Sequence, residues 1–152
     1  MRTFRKWIAL PRRERQFFLR LVLLMPAVWV SLRMVGLVRM IRWAESVPDA
    51  RHVDQSVSPN QPETLALLAR YGALSRAAAR IGIIKASCLV QSLALCHTLN
   101  RMGFTSKVRL GVKSISSPFI AHAWVECRGV PVGETVVDYV PFPEPLPGNR
   151  VE

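Results

Sequence analysis

The chain has 152 residues, of which 50% are apolar and 20% charged, with a mean hydropathy of +0.20. This apolar content excludes a wholly disordered chain, and three cysteines are too few, and odd in number, for a disulfide scaffold. The N-terminal uncharged stretch from Leu21 to Leu32 has 12 residues, whereas a membrane-spanning helix needs about 20, so a polytopic membrane protein is excluded. Without a secretory signal peptide, we expect a cytoplasmic protein: one domain with an appended arm.

Positive charge is concentrated near the N-terminus. Residues 1–42 contain ten Lys or Arg and one acid, a net charge of +9 out of +11 for the chain. Such an arm can contact nucleic acid, an anionic membrane surface or an acidic protein, or it can be a solvated helix face. Because aromatic RNA-binding motifs and a clear helix-turn-helix are missing, we expect no nucleic-acid partner. Contact with a membrane surface stays open, and with it a membrane-associated location.

Residues 1–45 are predicted to form a basic amphipathic helical region. Pro11 marks a helix entry, and apolar residues then recur every three or four positions from Phe17 to Ile41. This pattern predicts one or two helices, with a break or kink at Pro26.

Residues 46–61 are rich in Pro, Ser and Asp and predict a loop, which contains His52. The core domain is expected over residues 62–152, beginning with a helix from Pro62 to Ile81 that Gly82 closes. A second helix is expected from about Ser87, its N-cap, to Met102, with Gly103 as a left-handed C-cap.

After this helix the apolar period changes to two, which predicts an antiparallel meander and therefore an α+β domain. The predicted strands cover Lys107–Lys113, Phe119–Cys127 and Val130–Thr135. From Val140 onwards the chain is rich in proline and is expected to be extended or irregular.

Cys88 is the candidate nucleophile. It lies at or beside the first position of the second helix, where backbone N–H groups and the helix dipole stabilise an anion. The thiolate is the nucleophilic form of cysteine. A small buried side chain is the alternative, because most free cysteines have that role.

Cysteine catalysis needs a base and a group that orients the base. His97 lies nine positions after Cys88, on the opposite helix face, and is expected to be a polar surface residue. His122, in the middle of a predicted strand and flanked by Ala, is the candidate base, with a satisfied core histidine as the alternative. Glu134, on the returning strand, is the first candidate for the orienting acid, and Asp138 is the second.

Metal chemistry is not expected. The Cys and His residues do not fall into zinc-ligand spacings, and phosphate- and dinucleotide-binding motifs are missing from the sequence. The sequence therefore predicts neither a metal site nor a cofactor.

Two segments at a characteristic separation carry a specific resemblance. They are Ser87-Cys88-Leu89-Val90-Gln91-Ser92-Leu93-Ala94-Leu95 and His122-Ala123-Trp124-Val125-Glu126, with Gly103, Gly111 and Gly129 around them. Together they resemble the transglutaminase-like cysteine proteases of lasso-peptide biosynthesis, the B-type leader peptidases related to the microcin J25 maturation protease. The resemblance covers roughly residues 62–138. It implies a transglutaminase- or papain-like core, in which a nucleophile helix packs on an antiparallel sheet.

The family's catalytic set matches Cys88 as nucleophile and His122 as base. Its acid lies about a dozen residues after the histidine, which is the position of Glu134 here, although the family usually has Asp at that place. Asp138 therefore stays open as the orienting acid.

The resemblance implies a function and partners. The enzyme would remove the leader from a ribosomally made precursor peptide before a separate asparagine-synthetase-like cyclase forms the macrolactam. Because 152 residues leave no room for a leader-binding domain beside the arm and the core, we expect a split system with a separate leader-binding (RiPP recognition element) protein. Three alternatives stay open: a catalytically silent binding module on the same scaffold, a peripheral membrane protein, and acyl transfer to an amine instead of hydrolysis.

Overall fold

The computed structural model describes residues 11–46, 61–82, 84–113 and 120–143. Helices α1 to α4 cover Arg12–Val35, Leu37–Glu45, Pro62–Ile81 and Cys88–Arg101. Strands β1 to β4 cover Ser106–Lys113, Ala121–Cys127, Val130–Pro131 and Tyr139–Pro141. Helices precede strands along the chain, so the predicted α+β class is confirmed.

Of the break or kink predicted at Pro26, the break is not formed. Helix α1 continues through that proline to Val35, and the chain turns at Gly36, whose φ of 83° lies in the left-handed region that favours glycine. An internal proline removes one helical hydrogen bond. The buried side chains of Met25 and Val28 on either side hold the helix against α3 and α4, so tertiary packing decides the outcome.

The two core helices begin and end close to the predicted residues. Pro62 opens α3 within its first turn, and Gly82 follows its last residue. Ser87 is the N-cap of α4, and its hydroxyl accepts a 3.4 Å hydrogen bond from the Val90 amide. Gly103, with φ of 91°, ends the turn after α4 as predicted.

The sheet differs from the predicted meander at two places. Its order is β3-β2-β1-β4 with antiparallel pairs, so β4 pairs with β1 instead of continuing beyond β3. The strand expected over Val130–Thr135 is only Val130–Pro131, because the chain bends from Val132 onwards. Tyr139–Pro141 is a paired strand, which the proline-rich composition concealed; Pro141 lies at the sheet edge, where a missing N–H is tolerated.

The two faces of the sheet have different environments. Ala123, Val125 and Cys127 of β2 are buried beneath the helical layer, in which α4 packs on β1 and β2. Successive strand residues point to opposite faces, so His122, Trp124 and Glu126 project from the other face of β2. This alternation agrees with the sequence prediction and puts the candidate base on the face opposite the α4 packing.

Helix α1 completes the hydrophobic core. Phe17, Leu21 and Val28 are buried against α3 and α4, as the periodicity predicted. Glu14, also on the buried side, pairs with Arg70 of α3 at 2.6 Å.

Several predictions concern residues outside those that the structure describes. They include the basic residues of 1–10, most of the 46–61 loop with His52, the strand start at Phe119, and the tail from residue 144 onwards.

Candidate active site

Cys88 is the first residue of α4 and is partly buried. The preceding Ser87 has extended backbone, which leaves the amides of the first helical turn without carbonyl partners from within α4. The Ser87 hydroxyl takes up the Val90 amide. The remaining amides of this turn and the helix dipole create a positive potential around the thiol.

A buried hydrogen bond attaches the start of α4 to the strand that carries His122. The Ser92 hydroxyl donates to the Ala123 carbonyl oxygen at 3.0 Å. Ser92 lies one helical turn after Cys88, and Ala123 directly follows His122. The bond therefore fixes the nucleophile's helix beside the candidate base's segment of backbone.

His122 and Glu134 form a direct pair. The imidazole Nε2 lies 2.7 Å from the Glu134 carboxylate, and the two side chains are 25% and 30% exposed. The His122 ring also contacts the aromatic ring of Tyr139 on β4, with centroids 5.0 Å apart, and lies nearly parallel to the Trp124 indole at 6.2 Å. The His122 imidazole thus contacts a carboxylate and two aromatic rings at a site that solvent reaches.

Glu134 reaches His122 from a bend beyond the end of β3, not from a strand as predicted. The Val132 amide donates to the Val125 carbonyl at 2.9 Å, and Gly133 then turns the chain with φ of 72°. Asp138, the second candidate acid, is exposed and has no hydrogen bond or ion pair within the described part of the chain. The geometry therefore favours Glu134 over Asp138 as the partner of His122.

Helix α3 holds the bend that carries Glu134. A Cβ added to Gly72 would lie 2.7 Å from the Gly133 Cα and 2.8 Å from the Val132 carbonyl oxygen, so only glycine allows this approach. The Arg76 guanidinium donates a hydrogen bond to the Gly133 carbonyl oxygen. These positions were missed at the sequence level, because a glycine inside a helical pattern gives a signal only when its packing partner is known.

The thiol and the imidazole do not form a hydrogen bond in this structure: across the described residues, His122 bonds to Glu134 and Cys88 has no hydrogen bond. The direct contact that the sequence predicted between the two groups is therefore not formed. Nδ1 of His122 is the ring nitrogen that the Glu134 bond leaves available. Catalytic hydrogen bonds are often long in ligand-free sites and shorten when substrate binds.

Glu126 and Trp124 shape the sheet face around His122. The Trp124 indole N–H donates to Glu126 at 2.9 Å, and Glu126 also pairs with Arg109 at 3.0 Å. Gly111, opposite His122 on β1, makes room for the indole, since an added Cβ would lie 2.8 Å from the Trp124 ring. Glu126 thus has partners of its own and is not the acid that orients His122.

The other two cysteines differ from Cys88 in burial. Burial raises the pKa of the Cys96 thiol to about 12 and also raises the pKa of Cys127. Both side chains belong to the hydrophobic core. Cys96 and Cys127 thus have the role of small buried side chains, which is the alternative that the sequence left open for Cys88.

His97, which was expected to be a polar surface residue, is only partly exposed. Its ring stacks on Trp43 of α2 with centroids 4.0 Å apart and planes 10° from parallel, and burial lowers the pKa of His97. The sequence predicted that His97 projects from the face of α4 opposite Cys88, but it did not predict that α2 packs on that face. Over the described ranges, no group of three Cys, His, Asp or Glu is arranged to hold a metal ion.

Comparisons with known proteins identify one family. A family model described as the transglutaminase-like superfamily matches residues 31–144, which include all of the site residues above. Comparison with curated proteins and with solved structures gives no match.

Proposed function

Because the chain belongs to the transglutaminase-like superfamily, whose members are generally cysteine protease-like, we propose that it is a cysteine peptidase with Cys88 as nucleophile. The observation that carries this proposal is the 2.7 Å pair between Glu134 and His122, because His122 lies on the strand to which the Cys88 helix is hydrogen-bonded. More finely, we propose that it removes the leader from a lasso-peptide precursor before cyclisation. That step rests on the motifs around Cys88 and His122.

The proposed first half-reaction forms a thioester. Nδ1 of His122 takes the thiol proton of Cys88, and the sulfur attacks the scissile carbonyl carbon. Amides of the first turn of α4 donate to the oxyanion. The C–N bond then breaks, and the imidazolium gives its proton to the departing amine, which becomes the free N-terminus of the core peptide.

The second half-reaction returns the enzyme to its starting state. His122 takes a proton from water while the water oxygen attacks the thioester carbon. The C–S bond breaks, the leader leaves with a new carboxyl group, and Cys88 regains its proton from the imidazolium. Glu134 keeps the imidazole in one orientation throughout and stabilises its charged form.

The proposed partners follow from the leader-removal role. A separate leader-binding protein would deliver the precursor, and an asparagine-synthetase-like cyclase would join the new amine to an acidic side chain of the core peptide. The reaction would take place in the cytoplasm.

The test uses the full chain with a lasso-type precursor and a leader-binding protein that recognises this precursor, and the products are identified by mass spectrometry. The Cys88→Ala and His122→Ala variants should each lose cleavage by at least about a hundredfold. Cys127→Ala, a matched cysteine change away from the site, should keep it. Circular dichroism checks that all variants fold, and near wild-type cleavage by Cys88→Ala would refute the peptidase proposal.

The same assay distinguishes two of the open alternatives from the proposed peptidase. If the thioester passes to an amine, then added glycine methyl ester appears in the product mass, which identifies acyl transfer. If the domain is a silent binding module, the wild-type chain binds the precursor complex without cleaving it and Cys88→Ala changes nothing.

A second candidate function, contact with a membrane surface, is supported by the outer side of α1. Its apolar side chains there are exposed: Leu19 by 42%, Leu23 by 71%, Val30 by 53% and Met34 by 79%. Their spacing forms one stripe along the helix. By length and hydropathy alone, α1 could also cross a membrane. Of the 18-residue stretch of α1 that meets this criterion, 22% is buried in the fold.

Vesicle binding distinguishes this second candidate. The chain should co-sediment with vesicles rich in phosphatidylglycerol, less with phosphatidylcholine vesicles, and less in high salt. The variant Leu23→Glu/Met34→Glu should reduce the bound fraction by at least about fivefold. Equal sedimentation of variant and wild type would exclude α1 as the contact.

A further inference from the structure

A basic cleft lies beside the start of α4. It has a volume of about 450 Å³ and is lined by Arg76, Ala79, Arg80, Lys85, Ala86 and Gln91. Lys85 and Ala86 shortly precede Cys88, and Gln91 lies about one helical turn after it. Residues that precede and follow Cys88 in the sequence therefore line the cleft.

Three cations from two parts of the fold converge on this cleft, and no carboxylate is among the lining residues that the structure describes. Arg76 and Arg80 lie four residues apart on α3, so they share one helix face, whereas Lys85 comes from the segment that leads into α4. Arg80 and Lys85 are exposed, and neither has an ion-pair partner within the described ranges. A solvated helix face would explain the two arginines but not the convergence of Lys85 from another segment.

Arg76 connects the cleft to the acid of the site. Its guanidinium donates to the Gly133 carbonyl oxygen, directly before Glu134. One wall of the cleft thus contacts the bend that carries Glu134, and the other wall leads to Cys88. A peptide whose scissile carbonyl lies at the Cys88 sulfur would have neighbouring residues within reach of these cations.

We propose that the basic cleft binds a carboxylate of the peptide substrate, so that the enzyme prefers Asp or Glu close to the scissile bond. This inference rests on the proposed peptidase function and adds a substrate class to it. Lys85 precedes Cys88 by three residues, and an extended chain spans about 3.3–3.6 Å per residue. The acidic residue therefore lies within about three positions of the cleaved bond on one side.

The experiment measures how fast acidic and neutral peptides modify Cys88. Short acetylated peptides with a C-terminal vinyl sulfone carry Glu or Gln at the first, second or third position from the reactive group. N-chloroacetyl peptides with the same variation probe the other side. At one position Glu should exceed Gln by about threefold to tenfold in second-order labelling rate at low salt, because two or three exposed ion pairs add modest free energies.

Matched variants assign this preference to the cleft. Arg80→Gln/Lys85→Gln should abolish it, whereas Arg12→Gln/Arg20→Gln removes equal charge from α1 and should preserve it. Arg76 is left unchanged because it holds the Glu134 bend. Equal rates for Glu and Gln in the wild type, or a preference that persists in the cleft variant, would overturn the inference.

A binding measurement separates this outcome from failure of the peptidase proposal. Fluorescein-labelled forms of the same peptides, without reactive groups, are titrated with the Cys88→Ala chain. Tighter binding of the Glu peptide that depends on Arg80 and Lys85 supports the cleft even if precursor cleavage fails. Equal binding of both peptides refutes it even if cleavage succeeds.

Discussion

The two ends of α4 place chemically similar residues in opposite environments. At its start, Cys88 is partly exposed and has no hydrogen bond within the described chain. In its C-terminal half, Cys96 is buried among Asn100, Ser106 and the Ala44 carbonyl. The same helix thus leaves one thiol partly accessible to solvent and encloses another in the core.

The polar network at the C-terminal end is saturated. The Asn100 amide donates to the carbonyls of Ala44 and Ser106 at 3.0 and 3.1 Å, and its oxygen accepts from the Ser106 amide and hydroxyl at 2.8 and 2.9 Å. These bonds join α2, α4 and β1. A buried network that is fully paired fixes a frame, whereas a nucleophile must keep its lone pairs free. If Cys88 is the nucleophile, as we propose, then rigidity and reactivity are at opposite ends of α4.

The largest expected contrast between the two ends is thiol reactivity. Iodoacetamide at neutral pH should modify Cys88 in the folded chain. Cys96 should react at least about tenfold more slowly than Cys88, because its side chain is buried and burial raises the pKa of its thiol, which lowers the thiolate fraction. Peptide mapping by mass spectrometry locates the label. Equal labelling of Cys88 and Cys96 under native conditions would contradict the contrast.

The orienting acid should give the next largest effect, on the reactive side of the comparison. Glu134→Gln removes the charge beside the His122 Nε2 and should lower precursor cleavage by about a hundredfold, while Asp138→Asn stays close to wild type. Glu134→Asp should restore part of the rate, because Asp offers the same carboxylate with a shorter reach. The comparison of kcat among these variants is decisive, and a larger loss with Asp138→Asn would transfer the role to Asp138.

The saturated end should dominate stability. Asn100→Ala leaves the Ser106 amide and the Ala44 carbonyl buried without their partner and should cost about 1–3 kcal/mol in unfolding free energy. Ser87→Ala, at the other end, should cost less than about 1 kcal/mol, because the cap bond is long and partly exposed. Urea denaturation measures both. Equal losses would mean that the two ends of α4 are equally important for stability.

The smallest effect concerns pH. Burial of His97, whose ring stacks on Trp43, lowers the pKa of this histidine in the folded state. Below the ordinary histidine pKa near 6.5, the unfolded chain therefore binds more protons than the folded chain. Above that pH, His97 does not reduce the free energy of unfolding. As the pH drops below it, the free energy of unfolding falls, and the change ends below the folded-state pKa of His97. Relative to wild type, His97→Gln should lose less stability between pH 7.5 and 5.5. Parallel curves for the two proteins would exclude His97 as a source of pH dependence.

Local sequence signals determined the helices, their caps and the candidate groups. Ser87 precedes α4 and Gly103 follows it, as predicted. An N-cap depends on the nearby backbone amides, and the turn after a helix depends on a residue that adopts the left-handed conformation. The alternation of residues in β2 likewise assigns His122 and Ala123 to opposite faces of the strand. These features depend on spacings of a few residues, which the sequence contains directly.

Tertiary structure decided the features that join distant segments. Packing against α3 and α4 carries α1 through Pro26, and β4 pairs with β1, where the sequence predicted only an extended or irregular tail from Val140 onwards. The 2.7 Å contact of Glu134 with His122 involves a bend that packs on α3 through Gly72 and Gly133, two glycines far apart in the chain. Such contacts arise only when separate elements share one core, and no local pattern encodes their distance.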